Sequence, residues 1–185
     1  PGVLKMLAMG CEDKNLMEYF KNVRIVPVSI SYEYDPTDAL KMPQLRAEAN
    51  NQIYIKEKNE DFMTLLSGIM GQKKRIHIHV GDVLNSELDA IASEFDNSNK
   101  QIQALAQAID DSILNSYKLW PTNYIAYDIL NNTDKFSDKY TENEKSLFER
   151  RLEIRIDENN PVEKQGFLAM YANPVVNKLK YGNAV

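Results

Sequence analysis

Hydrophobic and polar positions alternate most clearly between Arg24 and Glu33, where the sequence reads Arg-Ile-Val-Pro-Val-Ser-Ile-Ser-Tyr-Glu. This period of two predicts a β-strand, because successive side chains of a strand point to opposite faces of the sheet. One predicted face is apolar and consists of Val26, Val28, Ile30 and Tyr32. We expect this face to lie in the core.

The opposite face of the same strand is small and polar, and it consists of Pro27, Ser29, Ser31 and Glu33. A surface strand would carry long charged side chains there, and Pro27 removes a backbone hydrogen-bond donor. One interpretation is a groove in which a ligand docks. The alternative is a sheet face that helices cover and that merely tolerates serine, and the pattern alone leaves both open.

Residues 73–82 form a second alternating segment and predict another strand. Its apolar side chains are predicted to face inward, and these are Ile76, Ile78 and Val80. Its polar side chains are predicted to face outward, and these are Arg75, His77 and His79. A third, brief strand is expected at residues 53–55, which read Ile-Tyr-Ile.

Apolar residues at intervals of three and four predict helices over most of the remaining chain. The predicted helices lie at residues 3–11, 16–20, 60–70, 98–118 and 124–130. Further helices are expected to begin at Thr141, Asn160 and Asn173, and Pro43 is expected to divide the helical region 35–50 into two pieces.

The order of these elements indicates an α/β fold, in which a small partial sheet of about three strands is packed by helices. An all-α extension follows, so we place the domain boundary after residue 84 and assign residues 85–185 to the extension. We expect a sheet of so few strands to be incomplete within this chain. Because the chain opens with Pro1 and shows helical spacing from Leu4 onward, we expect it to be a piece of a longer protein.

Charge and composition narrow the function classes. The net charge of −5 argues against a nucleic-acid binder, which usually carries a basic face. The single Cys11 excludes an internal disulfide and a cysteine metal site, and a reduced, cytoplasmic setting fits best. The sequence contains no apolar run of about 18 residues or more, which a membrane-spanning helix needs.

His77 and Asp82 have the spacing of an acyltransferase dyad, in which the imidazole takes a proton from a hydroxyl nucleophile. In an extended strand the two side chains point to opposite faces, so we expect this copy not to be catalytic. His77 and His79 share a face but have no third metal ligand nearby, so no metal site is predicted. Trp120, Tyr124 and Tyr127 are expected to pack on a helix.

Residues 25–33 resemble the fourth conserved block of the glycerol-3-phosphate and lysophosphatidic acid acyltransferases, a strand with Val-Pro-Val and, in one branch, a following Tyr-Glu. Later landmarks are similar in order, and they are Leu45-Arg46, residues 56–60, residues 75–82 and residues 119–126. Asp82 and Val83 depart from the Glu-Pro of the family pattern. The resemblance covers about residues 1–130.

The resemblance implies a bacterial enzyme of phospholipid synthesis that moves a fatty acyl group to a hydroxyl of glycerol phosphate. The acyl donor would be acyl-coenzyme A or acyl-carrier protein, with no other cofactor. The family's His-four-Asp dyad and phosphate-binding block precede the Val-Pro-Val strand, so both are expected upstream of Pro1, with no catalytic residue in this chain. The expected substrate-binding residues are Pro27, Ser29, Ser31 and Glu33.

The same resemblance implies peripheral contact with the inner face of the cytoplasmic membrane. Two other hypotheses stay open from the sequence. One is a non-catalytic helical module that binds a protein partner, and the other is a working dyad of His77 and Asp82 in this chain alone.

Overall fold

The computed structural model describes residues 1–12, 15–157 and 159–182 and is mostly helical. Its strands are β1 (Val28–Tyr32) and β2 (Ile76–Val80). Its first α-helices are α1 (Gly2–Ala8), α2 (Leu16–Val23), α3 (Met42–Ala49) and α4 (Glu60–Met70). The later ones are α5 (Asn85–Glu94), α6 (Ser98–Ser116), α7 (Pro121–Asn131), α8 (Glu142–Arg155) and α9 (Pro161–Tyr181). Short 3₁₀ turns lie at Asp38–Lys41 and Ser137–Lys139.

β1 and β2 form an antiparallel, two-stranded sheet. The amide of Glu33 donates to the carbonyl of Arg75, and the amide of Gly81 donates to the carbonyl of Pro27. The third strand expected at residues 53–55 does not form, so within the described ranges the sheet has two strands rather than about three. Ile53 and Ile55 are exposed instead, and an isolated extended segment has no ladder to hold it as a strand.

The chain divides into two compact units, and both are discontinuous in sequence. The first unit consists mainly of Pro1–Ile30 and Ile78–Tyr117, and the second mainly of Ser31–His77 and Lys118–Lys180. The predicted boundary after residue 84 is a different division, because it assigns continuous stretches of chain to each part. The helices that follow residue 85 contribute to both units.

The core of the first unit forms where α1, α2, α5 and α6 meet. Phe20, Leu88 and Leu105 are fully buried there, each on an apolar stripe of its helix. Asn15 caps α2 by accepting from the amide of Glu18. Asn97 caps α6 in the same way, by accepting from the amides of Asn99 and Lys100.

The core of the second unit is aromatic. Phe148 of α8 and Phe167 and Tyr171 of α9 pack with ring centroids 5.1–5.9 Å apart. The predicted cap of α8 is confirmed, since Thr141 accepts from the amide of Glu144 and the Glu144 carboxylate accepts from the amide of Thr141.

α9 differs from its prediction, because one helix runs through Pro174 where the sequence indicated a second start. Proline lacks the amide hydrogen that an interior helix position normally donates. Buried side chains on both sides, Tyr171 and Ala172 before it and Val175 after it, pack into the core. This packing outweighs the lost hydrogen bond.

Candidate functional site

The structure inverts the predicted orientation of β1. Ser29 and Ser31 are 2% and 1% exposed, Glu33 is fully buried and Pro27 is buried. The predicted core side chains are exposed instead, and these are Val26, Val28, Ile30 and Tyr32. The expectation that the apolar face of this strand lies in the core is therefore wrong.

Hydrogen bonds to α6 and α7 stabilise part of the covered polar face, at Ser29 and Glu33. In the first unit, the hydroxyl of Ser116 in α6 lies 3.0 Å from the hydroxyl of Ser29. In the second unit, the hydroxyl of Thr122 in α7 donates to the carbonyl of Glu33 at 2.8 Å. A buried hydroxyl or carbonyl is tolerated when it has such a partner. The alternative of a sheet face covered by helices is confirmed for Ser29, and the substrate-binding role of the four residues stays a prediction.

β2 is inverted as well. Ile76, Ile78 and Val80, which were expected to face inward, are exposed. His77, which was expected to face outward, is half-buried. The register of the ladder sets His77 opposite Ser31. Among the described residues, neither Ser31 Oγ nor His77 Nδ1 has a hydrogen-bond partner, although both atoms are buried.

Glu33 is the electrostatic centre of this part of the second unit. Its carboxylate accepts from Lys74 Nζ at 2.7 Å and from Arg75 Nε at 2.5 Å. Arg75 also stacks on the ring of Trp120, with its guanidinium 5.0 Å from the ring centroid. Burial alone would raise the pKa of Glu33, but the hydrogen bonds and charges of Arg75 and Lys74 lower it below the ordinary value.

This arrangement gives Glu33 a partner within its own chain. Glu33 was predicted to bind substrate, and the groups beside its carboxylate are Lys74 and Arg75 of the same chain. The remaining residue of the basic run 73–75 also has a structural role, because Lys73 Nζ donates to the carbonyls of Ile69 and Gly71. These donations satisfy carbonyls at the end of α4.

A second cluster of buried charge surrounds Asp38, and the sequence reasoning missed it. Asp38 is fully buried and accepts from Arg151 Nη2 at 2.7 Å, from Arg155 Nε at 2.8 Å and from the hydroxyl of Tyr171 at 2.9 Å. Burial, and after it the negative charge of Asp38, raises the pKa of Tyr171. Arg151 and Arg155 stand four residues apart on α8, which places them on one face of the helix.

The sequence signal for this cluster was therefore an i, i+4 arginine pair on α8. The pattern could not show its partner, since Asp38 lies 113 and 117 residues away along the chain. The helical region was expected to begin at Asp35. This residue instead closes a turn, because its carboxylate accepts from the amide of Thr37 at 2.8 Å.

The other candidate chemistries are weaker in the structure. His77 Nδ1 has no partner among the described residues, whereas a catalytic imidazole is normally held by a carboxylate. In the described ranges no group of three or more His, Cys, Asp or Glu side chains is placed to hold a metal ion. Tyr124 and Tyr127 pack on Phe136 at 5.1 and 5.2 Å between ring centroids, and Trp120 is buried, so this set belongs to the core as predicted.

Comparisons of the chain with protein-family models, with curated proteins and with solved structures gave no match in any of the three. Within the described part of the chain, no helix combines the length and the apolar character that a membrane crossing requires.

Proposed function

We propose that this chain is part of a glycerolipid acyltransferase, which moves a fatty acyl group from acyl-coenzyme A or acyl-carrier protein to a hydroxyl of glycerol phosphate. Support comes from the resemblance of residues 25–33 to the Val-Pro-Val block of that family. The observation that carries the proposal is the uncovered apolar face of the strand in this block. Val26, Val28 and Ile30 are exposed, although their pattern is typical of a covered face.

The accessible face of β1 changes which residues we assign to the acyl groove. A groove wall must be open to its ligand, and Ser29 and Ser31 are sealed. Val28 and Ile30 are the accessible apolar side chains of the same strand, and an acyl chain requires apolar contacts. In the proposed enzyme Pro27, Ser29, Ser31 and Glu33 shape and anchor the strand, while its apolar face meets the acyl chain.

No catalytic base is assigned within this chain. Acyl transfer to a hydroxyl needs a general base held in position by a carboxylate. We expect the His-four-Asp dyad and the arginine-rich phosphate block to be encoded upstream of Pro1. The proposed reaction uses the acyl donor and glycerol phosphate as co-substrates. We assign no metal to it.

The test compares the 185-residue chain with the protein encoded by the reading frame extended upstream of Pro1. We expect the extended protein to transfer a radiolabelled acyl group to glycerol 3-phosphate or to its 1-acyl derivative, and the 185-residue chain to be inactive. In the extended protein, Ile30→Asp should lower transfer at least tenfold, and His77→Ala should leave it within twofold.

Two results would overturn the proposal. One is an upstream coding sequence without either motif, and the other is an extended protein that transfers no acyl group. Transfer by the 185-residue chain, lost in His77→Ala, would instead establish the dyad of His77 and Asp82.

We also propose peripheral attachment to the cytoplasmic face of the membrane, through α4. The exposed side chains of this helix are largely apolar, and they are Phe62, Met63, Leu65, Leu66, Ile69 and Met70. An amphipathic helix that presents such a face at the surface is suited to the headgroup boundary of a bilayer.

A non-catalytic protein-interaction module remains the second candidate. The same exposed face of α4 favours it, because a hydrophobic groove on a partner protein would bury these side chains equally well. In the acyltransferase proposal α4 binds a membrane, whereas in the interaction module it binds a partner protein. Acyl transfer by the protein of the extended reading frame distinguishes the two proposals.

A further inference from the structure

The second unit contains a cleft of about 420 Å³ beside the Asp38 cluster. Arg151 and Arg155 of α8 line it, and so do Leu40 and Met70. Gly71 and Gln72, which follow α4, also line the cleft. The volume falls within the roughly 300–1,000 Å³ of small-molecule sites.

The charges beside this cleft do not balance. Asp38 contributes one negative charge, and it is the carboxylate to which both guanidinium groups bind. Arginine stays protonated in proteins, so the three side chains together carry one excess positive charge. A partly desolvated positive charge of this kind attracts an anion more strongly than an exposed lysine does.

The two arginines differ in how far they are exposed. Arg151 is 11% exposed and donates to Asp38, to the carbonyl of Asp35 and to the hydroxyl of Tyr171. Arg155 is 35% exposed, and it donates through Nε to Asp38 and through Nη2, at 3.4 Å, to the carbonyl of Pro36. Within the ranges that the structure describes, the hydrogen bonds of both guanidinium groups run through Nε and Nη2. Because Arg155 is the more exposed of the two, it is the group that can receive an anion through Nη1, whereas Arg151 is largely buried.

Part of the cleft lining is apolar and exposed. Met70 is 77% exposed, and Leu40 is exposed as well. Both side chains line the cleft, so a ligand lying there would remove apolar surface from water. A purely inorganic anion would leave this surface unused.

We propose that this cleft binds a small anionic amphiphile, with its phosphate or carboxylate group on Arg155 and its apolar tail against Met70 and Leu40. The Nη1 group of Arg155 can donate charge-assisted hydrogen bonds to an oxygen of either group. A ligand with one negative charge would neutralise the cluster. The cleft is formed within the described residues of this chain and does not depend on the acyl-transfer proposal.

The test titrates the 185-residue chain with octyl phosphate, octanoate and octanol below their aggregation concentrations, and follows binding by calorimetry and by amide chemical shifts. We expect both anions to bind and octanol to bind at least tenfold more weakly. The ratio between octyl phosphate and octanoate identifies which head group the cleft prefers. Inorganic phosphate should bind more weakly than octyl phosphate, since it lacks the tail.

Matched substitutions locate the ligand. Arg155→Gln should weaken both anions at least tenfold, because it removes the receiving group, whereas Arg150→Gln, at the exposed neighbouring position of α8, should have no effect. Met70→Ser should weaken octyl phosphate several-fold and leave inorganic phosphate unchanged. Met63→Ser changes an exposed methionine of α4 outside the lining and serves as its control.

The proposal is overturned if neither anion binds, if octanol binds as tightly as the anions, or if Arg155→Gln binds them like the original chain. Thermal unfolding of each variant shows whether it is folded. If Arg155→Gln does not fold, the comparison of Met70→Ser with Met63→Ser and the octanol control still decide the outcome.

Discussion

At the residue scale, the two fully buried carboxylates of the second unit are held in different ways. Glu33 binds Lys74 and Arg75, whose side chains are partly in water, so both positive charges keep some solvation. Asp38 binds Arg151 and Arg155, and Arg151 is itself mostly buried. A buried carboxylate without its partners would cost several kcal/mol, so each cluster requires its full set of donors.

Glu33→Ala tests how much its cluster contributes to stability. The substitution leaves two basic side chains without their buried acceptor, and removal of one member of a buried ion pair costs about 3–5 kcal/mol. We expect the free energy of unfolding to fall by an amount toward the lower end of this range, since the side chains of Lys74 and Arg75 can turn toward water. The free energy of unfolding in urea measures it, and Glu153→Ala, an exposed carboxylate of α8, should change it by less than about 0.5 kcal/mol. An equal effect of both substitutions would contradict the role assigned to Glu33.

The pH dependence of this cluster has a definite sign. The pKa of Glu33 is lower in the folded chain than its ordinary value of 4.5, because Arg75 and Lys74 outweigh the effect of burial. The stability that Glu33 contributes is therefore present above pH 4.5 and is lost as the pH falls through the lowered folded-state pKa. Unfolding curves collected below pH 4.5 should show a loss for the original chain that is smaller in Glu33→Ala. Identical acid profiles would contradict the linkage.

The sequence predicted the strand at residues 24–33 but assigned its two faces the wrong way round. Alternation identifies a strand, because the period of two is a property of its backbone. It does not identify which face is covered, because that depends on distant groups. Ser29 is buried because Ser116 supplies a hydroxyl to it, and Glu33 is buried because Lys74 and Arg75 neutralise it. Neither partner could be inferred from a pattern within the strand.

At the scale of the element, α4 shows that a helix can be predicted from its apolar spacing although the spacing does not show whether its apolar face is covered. Its bounds agree with the predicted helix at residues 60–70, yet it has no buried residue. Its half-buried positions are small or polar, namely Glu60, Thr64, Ser67 and Gly68. The start of α8 was predicted because its signal is local: Thr141 and Glu144 stand three residues apart and bind each other. The continuation of α9 through Pro174 could not be predicted from local signals, since it depends on packing in the core.

Gly71→Ala tests the close approach at the end of α4. A Cβ atom at this position would lie 2.5 Å from the carbonyl oxygen of Ser67 and 2.6 Å from Cβ of Pro36. The carbonyl belongs to the helix backbone and cannot move away cheaply, so we expect a loss of about 1–3 kcal/mol, typical of overpacking. Thermal unfolding measures the loss. Gly2→Ala is the matched control, because a Cβ there meets nothing within 4 Å, and a melting temperature lowered equally by both would contradict the steric explanation.

At the scale of the whole molecule, apolar side chains are exposed in both compact units. In the first unit they include the side chains of the two strands and their flanks, namely Val26, Val28, Ile30, Ile78 and Val80. In the second unit the largest set lies on α4. Contiguous exposed apolar surface usually marks an interaction site. The fold class was predictable only coarsely, as helices with a small sheet. The periodicity of a helix or strand identifies the element, but it does not show which other element covers its apolar face.

The charge around α4 favours a lipid surface as what it contacts. Residues 56–75 contain Lys56, Lys58, Lys73, Lys74 and Arg75 against Glu57, Glu60 and Asp61, an excess of two positive charges in a chain whose net charge is −5. Glu33 offsets one of these charges through its bonds to Lys74 and Arg75, so an excess of one positive charge is left. Anionic headgroups attract such a segment, while the apolar side chains enter the boundary of the bilayer. We expect the 185-residue chain to cosediment with vesicles that contain phosphatidylglycerol, and less with vesicles of phosphatidylcholine alone.

The double substitution Leu65→Asp and Ile69→Asp should reduce this cosedimentation at least tenfold, because it places charge on the face that would enter the bilayer. Both side chains are exposed, so the variant should keep the unfolding temperature of the original chain within a few degrees. Ile154→Asp changes an equally exposed isoleucine on α8 and should bind vesicles like the original chain. If the α4 variant and the α8 control bind equally, or if the original chain ignores anionic vesicles, then lipid is not what α4 contacts, and a protein groove becomes the better explanation of its exposed apolar face.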